Sequence, residues 1–202
     1  MEPIIIDNFL PEVYIDSIYQ LMGGDQLTWS FNKHSTSTDP NLDKLFHTDT
    51  ETAEHLQFRH IFIDDNKVKS AQLRFIAPLI ACYENQFGKI KSTQRIKSNL
   101  LVPQKGPSLQ RPHADDMETD SYDSTGYIAN RKTLLYYVNS SDGDTIIYNE
   151  KFEGKPVGEL TVQQRITPVK GRAVIFDSNQ IHSACLPVAK RYRLIINCVF
   201  QH

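Results

Sequence analysis

Few cysteines, no long apolar run and no excess of either charge: what this 202-residue chain lacks narrows the field before any motif is considered. Its three cysteines, Cys82, Cys185 and Cys198, are an odd number without close paired spacing. They exclude a disulfide framework and fit buried thiols in a reducing compartment, so a cytoplasmic protein is expected. No stretch approaches the ~20 apolar residues that span a bilayer. The opening Met-Glu-Pro-Ile-Ile-Ile-Asp-Asn places an acidic residue where a secretion signal needs basic ones, and its apolar run is too short. With 22 basic against 24 acidic residues there is no basic footprint for nucleic acid and no polybasic patch for a membrane. Repeats, low-complexity tracts and linkers are also missing. One domain spanning 1–202 is expected, long enough for a substantial core, with no oligomeric state specified.

The first half reads as mixed and the second as strands. Ile4-Ile5-Ile6 is a short strand candidate. Pro11 sits where a helix starts, and Val13, Ile15, Ile18, Tyr19 and Met22 form an apolar stripe up to a Gly23-Gly24 stop. A second helix is expected from Val68 to Phe87, with Leu73, Phe75, Ile76, Leu79, Ile80 and Tyr83 recurring at three and four. Pro78 lies inside it and should kink it, and Gly88 ends it. From about Ile90 the spacing predicts strands over 96–102, 109–114, 132–138, 145–148, 160–168, 173–176 and 191–200. Turns such as Ser140-Ser141-Asp142-Gly143 and Val169-Lys170-Gly171 separate them. Such a run implies an α+β fold. Residues 91–202 would form a double-stranded β-helix (jelly roll), and the helices of the mixed 1–90 segment would pack on one face.

The strand-rich half carries the most informative residues. His113 and Asp115 stand two apart in Ser-Leu-Gln-Arg-Pro-His-Ala-Asp, and His182 and Arg193 follow far downstream. On an extended chain the period of two puts His113 and Asp115 on one face. Two imidazoles and a carboxylate on one side of a metal make the facial triad of non-haem Fe(II) oxygenases, which leaves coordination positions open. An arginine offers a planar fork of donors that suits a carboxylate, as on a keto-diacid co-substrate. Asp116 is an alternative carboxylate, but it alternates to the opposite face. A second His-x-Asp, His47-Thr-Asp49, is followed by glutamates and reads as a capped helix start. His34, His47, His55, His60 and His202 lack comparable partners and receive no role.

In order, the chain shows His113-Ala-Asp115, Tyr136-Tyr137-Val138-Asn139, Asp142-Gly143-Asp144-Thr145, Gly171-Arg-Ala-Val-Ile-Phe176, His182-Ser-Ala-Cys-Leu-Pro187-Val188 and Arg193. This series resembles the 2-oxoglutarate/Fe(II)-dependent dioxygenases, most of all their prolyl 4-hydroxylase-like branch. The resemblance covers about Leu100 to Phe200, with motifs that are short singly but specific in order and spacing.

The resemblance implies that His113, Asp115 and His182 hold Fe(II), with 2-oxoglutarate and O2 as co-substrates, succinate and CO2 as products and ascorbate as a reductant. A basic residue about ten positions past the distal histidine takes the far carboxylate of 2-oxoglutarate. Arg191 and Arg193 both qualify and share a strand face; the Pro-Val step favours Arg193, and Arg191 stays open. Tyr137 would share that carboxylate, unless a register slip of one brings Tyr136 inward instead. Thr145 and Val188 would line the same pocket. Asp115 occupies the position a halide would need, so hydroxylation is favoured over halogenation. Val199 stands where nucleic-acid demethylases carry a second arginine. The implied substrate is a protein or peptide residue, proline foremost; a small molecule or free amino acid, or a non-catalytic cupin-like metal-binding module, is the alternative. Residues 116–130, with four acids and no base, are placed like an acidic lid favouring a neutral or basic substrate, and residues 32–41 like a second flap.

Overall fold

A computed structural model describes residues 2–34 and 45–202, so most of the expected 32–41 flap lies outside the described residues. The elements that build the site are β1 (Ile4–Ile6), α1 (Glu12–Gly23), β2 (Ser30–Asn32), β3 (Gln57–Asp64), α2 (Leu73–Phe87), β4 (Ser92–Leu101) and β5 (Leu109–Gln110). They continue with β6 (Arg131–Tyr137), β7 (Thr145–Lys151), β8 (Val162–Ile166), β9 (Ala173–Asp177), β10 (Gln180–Ala184) and β11 (Arg193–Gln201). The larger sheet runs β1-β9-β6-β11-β4-β3-β2, every neighbour antiparallel. The smaller sheet is β8-β7-β10. It is widened where Leu109 pairs with Cys185 and His113 with His182. The result is an α+β jelly roll with helices on one face.

Alternation sorts the side chains. Along β11, Leu194, Ile196, Cys198 and Phe200 point to the helices, where they pack with Ile15, Ile18 and Met22 of α1 and Ile76, Leu79 and Tyr83 of α2. The intervening Ile195 faces the smaller sheet, joining Leu135 and Tyr137 of β6, Ile147, Ile166, Val174 and Phe176. A β-strand sends successive residues to opposite faces, so one strand serves two cores. The tyrosine pair is settled in the same way. Tyr136 is buried in the helix-side core, and Tyr137 in the core between the sheets.

α1 begins behind Pro11, whose carbonyl accepts the first helical N–H bonds from Tyr14 and Ile15. Its buried stripe is Ile15, Ile18, Leu21 and Met22, whereas Val13 is 66% exposed, outside the stripe expected of it. α2 starts at Leu73, the first residue of its apolar period, and not at the expected Val68, because Lys67–Val68 pairs back on Ile63–Asp64 as a hairpin. Asp65 and Asn66 make that turn at φ 48° and 57°, the left-handed pair that a tight hairpin requires. The helix passes through Pro78 and ends at Gly88, whose φ is 96°. His47 corrects another expectation. It lies in the short strand Phe46–His47, which pairs in parallel with Gly158–Glu159, and no helix starts there. The apolar Phe46 drives this: it is buried in the outer cluster of the smaller sheet with Phe152 and Leu160.

Gly143 shows why the turn before β7 needs glycine. A Cβ there would stand 2.5 Å from the Cys185 carbonyl oxygen and 3.0 Å from the Pro187 nitrogen, so backbone would have to move. Gly143→Ala should cost about 1–3 kcal/mol by overpacking, read as a lower denaturant midpoint at unchanged slope.

Candidate metal centre and cofactor cleft

His113 and His182 are brought together by backbone. The two residues exchange N–H···O bonds, 3.0 Å from His113 and 2.9 Å from His182. Directly opposed residues of an antiparallel pair present side chains on one face, and the imidazole centroids lie 4.4 Å apart. Each Nδ1 lies against a carbonyl two residues earlier: Gln180 O at 2.9 Å for His182, and Arg111 O at 3.4 Å for His113. An Nδ1–H held in this way leaves Nε2 as the free donor toward a metal.

Asp115 completes the group. One ligand atom each from His113, Asp115 and His182 lie within 4.8 Å of one another. No other such metal-binding group occurs among the described residues. The Asp115 side chain is 2% exposed and receives three bonds. Arg95 Nη2 donates to Oδ1 at 2.8 Å, and Thr133 Oγ1 and Asn197 Nδ2 each donate to Oδ2 at 2.9 Å. Burial pushes this carboxyl up, but His182, Arg95 and His113 together outweigh it and hold the group well below the usual carboxylate range. Burial, reinforced by the neighbouring His182, lowers His113 to about 3. A neutral imidazole beside an ionised carboxylate is the donor state a divalent cation requires.

A cleft runs from this centre to Arg193 on β11. Arg193 is 2% exposed, and its Nη2 donates to Thr145 Oγ1 at 2.7 Å. Tyr137 donates to the same oxygen at 2.7 Å. The Nε of Arg193 is buried without a hydrogen-bond partner. A guanidinium enclosed in this way, with an unused N–H, fits the carboxylate end of a dicarboxylate ligand. Asn139 positions it: its Oδ1 accepts the Leu194 N–H at 2.8 Å, and its Nδ2 donates to the Tyr192 carbonyl at 3.1 Å.

The structure brings His113, Asp115, His182, Arg193, Thr145 and Tyr137 together and leaves two expected residues outside. Arg191 is exposed and faces a separate groove with Tyr19 and Lys170. Val188 is 76% exposed and does not line the cleft. The reason is Asp142, whose carboxylate accepts the N–H groups of Val188, Ala189 and Lys190, so that the turn is tied down with its side chains outward. Asp116 is fully buried away from the metal group and takes bonds from Ser121, Tyr127 and Arg131. Those bonds also correct the lid expectation. The 116–130 segment contains a folded hairpin of Tyr122–Asp123 with Gly126–Tyr127, and two of its acids, Asp116 and Glu118, share an ion pair with Arg131 of β6.

Arg95, Thr133 and Asn197 were missed by sequence reasoning. Asn197 was accessible: it lies four residues beyond Arg193 and therefore on the same strand face. Arg95 and Thr133 had no motif around them. Also unassigned was Lys97, half-buried in the cleft, where burial and the adjacent Arg95 bring its ammonium down to about 7.

Residues 103–201 match the family model of the 2OG-Fe(II) oxygenase superfamily. No curated protein matches the sequence significantly. Among solved structures, the chain is similar to a Trichoplax adhaerens prolyl hydroxylase in complex with a hypoxia inducible factor oxygen degradation domain peptide fragment. That match has a TM-score of 0.60 at 15% identity over 98% of this chain and 83% of that one. A Pseudomonas putida prolyl-4-hydroxylase matches with a TM-score of 0.55 at 16% identity, over 99% and 92%. The alpha ketoglutarate dependent epimerase SnoN from nogalamycin biosynthesis matches with a TM-score of 0.61 at 11% identity, over 98% and 77%.

The metal-free centre should lose stability in acid. An unfolded histidine titrates near 6.5, and His113 in the fold only at about 3. The folded state therefore binds that proton less readily, and the stability present above pH ~6.5 is lost as pH falls toward ~3. Denaturant midpoints of the metal-free protein should drop from pH 7 to pH 4, and His113→Gln should flatten the drop.

Proposed function

We propose, on the premise that this chain belongs to the 2OG-Fe(II) oxygenase superfamily through its residues 103–201, that it hydroxylates an amino-acid residue of a protein or peptide, proline foremost. The family uses Fe(II), 2-oxoglutarate and O2. One observation carries the assignment to this cleft: a His-Asp-His group at one end and a buried, incompletely bonded arginine at the other. His113, Asp115 and His182 would hold the iron, and Arg193, with Thr145 and Tyr137, the far carboxylate of 2-oxoglutarate. When bound, these groups supply oxidative decarboxylation to succinate and CO2, coupled to hydroxylation of a substrate C–H bond.

The remaining work belongs to the chain. Arg95, Thr133 and Asn197 fix the orientation of Asp115, so the carboxylate is presented without a search over rotamers. Leu135 and Ile195, 4% and 7% exposed, form the apolar floor between the two ends and keep water from the reacting region. Tyr137 stays protonated, because burial raises its phenol, and so it remains a donor to Thr145. Proline is put first because the motif series resembles the prolyl 4-hydroxylase-like branch and two prolyl hydroxylases are among the similar structures.

The anaerobic protein with Fe(II) and 2-oxoglutarate should show a weak visible charge-transfer band, and under O2 it should release succinate. Proline peptides should stimulate that release more than lysine or asparagine peptides or free amino acids. Stimulation by free amino acids alone would redirect the proposal to a small-molecule hydroxylase, and metal retention without the band to a binding module. Arg193→Ala should raise the half-saturating 2-oxoglutarate concentration about tenfold or more, the loss of one charge-assisted bond; an unchanged value would remove Arg193 from that role. Arg95→Met should weaken metal binding by about 10–100-fold in a direct titration, through the loosened Asp115.

A further inference from the structure

Three polar groups in the cleft have no work in that scheme. Lys97 and Asn99 stand two apart on β4 and both line the cleft, while Ile96 and Ser98, which alternate with them, are buried on the opposite face. Gln110, on β5, is 4% exposed and lines the same cleft. The Lys97 ammonium makes no hydrogen bond or ion pair with any described residue. Asn99 donates its Nδ2 to Gln57 Oε1 at 2.7 Å, which leaves its Oδ1 buried and unbonded. The Nε2 of Gln110 is buried and unbonded as well. Buried polar groups are nearly always paired in a folded protein, and a cluster of exceptions in one cleft marks a ligand's place.

Their position separates them from the co-substrate end. In the register of the large sheet, Arg193 lies opposite Leu101, whereas Lys97 lies opposite Asn197, the residue that holds Asp115. Four residues of strand separate Lys97 from Leu101, about 13 Å at the usual rise. Lys97 is therefore at the metal end of the cleft, on the side toward β3, and Arg193 at the far end. Charge points the same way. Arg95, Lys97 and Arg193 border a cleft whose lining has a single acid, Asp115. Arg95 is paired with Asp115 and Arg193 has its own proposed anion, so Lys97 is the cation left over.

We propose that Lys97, with the amides of Gln110 and Asn99, recognises the substrate by a carboxylate: Lys97 and Gln110 donate to its oxygens, and Asn99 Oδ1 accepts an N–H beside it. The substrate of this oxygenase is then acidic at or next to the hydroxylated residue, the reverse of what an acidic lid would select. This rests on the oxygenase reading above and deepens it. The carboxylate could be the main-chain group of a free or terminal amino acid or an acidic side chain in a peptide.

The test is a panel of matched pairs: free and N-acetylated amino acids with their carboxamides, and proline peptides flanked by glutamate or glutamine. Binding to the metal-free protein is measured by calorimetry, and stimulated succinate release by the Fe(II) enzyme. Acid members should be preferred over amide members by about tenfold or more, as for one charge-assisted contact. Lys97→Met should bring that ratio near one, and Lys97→Arg should retain most of it. Preference among the free acids alone assigns the main-chain source, and preference only in the glutamate peptides the side-chain source. An acid–amide ratio near one in the unaltered protein, a ratio unchanged by Lys97→Met, or a panel in which no acid member binds overturns the proposal. So does a Lys97→Met variant that keeps the ratio and loses affinity for 2-oxoglutarate instead, since Lys97 would then serve the co-substrate. Failure of the oxygenase reading is recognised separately, by the missing charge-transfer band, and leaves the calorimetric ratio to decide the carboxylate claim.

Discussion

Everything in the cleft depends on two reciprocal hydrogen bonds between the backbones of His113 and His182. They join the segment after β5 to the edge of β10, and this direct opposition sets both imidazoles on one face at contact distance. The pairing also decides where Asp115 falls. Two residues past His113 it reaches the large sheet, where Arg95 of β4, Thr133 of β6 and Asn197 of β11 surround it. Three strands from different parts of the sequence meet at one carboxylate. The centre thus has the character of a keystone: the two sheets are joined at this end through the side chains of the candidate metal-binding group.

The second half of the fold was largely legible in the sequence because its strands are short, apolar and bounded by turn residues. The helices on one face were legible from period alone. β3 was not, since Gln57-Phe-Arg-His-Ile-Phe-Ile-Asp mixes polar and apolar residues without clean alternation; Gln57 lines the cleft, and Phe62 and Ile63 join the helix-side core. β10 was hidden in a similar way: Gln180, His182 and Ser183 look like loop chemistry until their burial is known. His113, Asp115 and His182 could be singled out together because a metal would constrain residue type and spacing at once, and the structure brings the three side chains into one group. Val188 failed because the backbone bonds to Asp142, which no pattern announces, turn it to solvent. The residues around Asp115 were invisible for a different reason. They come from β4, β6 and β11, and only sheet order makes them neighbours.

The two faces of β11 explain how the chain tolerates so unfavourable a cleft. Enclosing Arg193, a half-buried Lys97 and unbonded amides opposes folding, since each polar group given up by water without a partner costs on the order of 1–3 kcal/mol. On the helix side of the same strand, Leu194, Ile196, Cys198 and Phe200 are each 0–1% exposed. Burying one large aliphatic or aromatic side chain contributes about 1.5–3 kcal/mol, so the helix-side row is of the right size to offset these polar groups of the cleft. The register that places one row in the core places the other beside the metal centre, and neither can shift without the other. The rigidity needed to preorganise the cleft is therefore a by-product of the packing of α1 and α2, although neither helix contributes a residue to its lining.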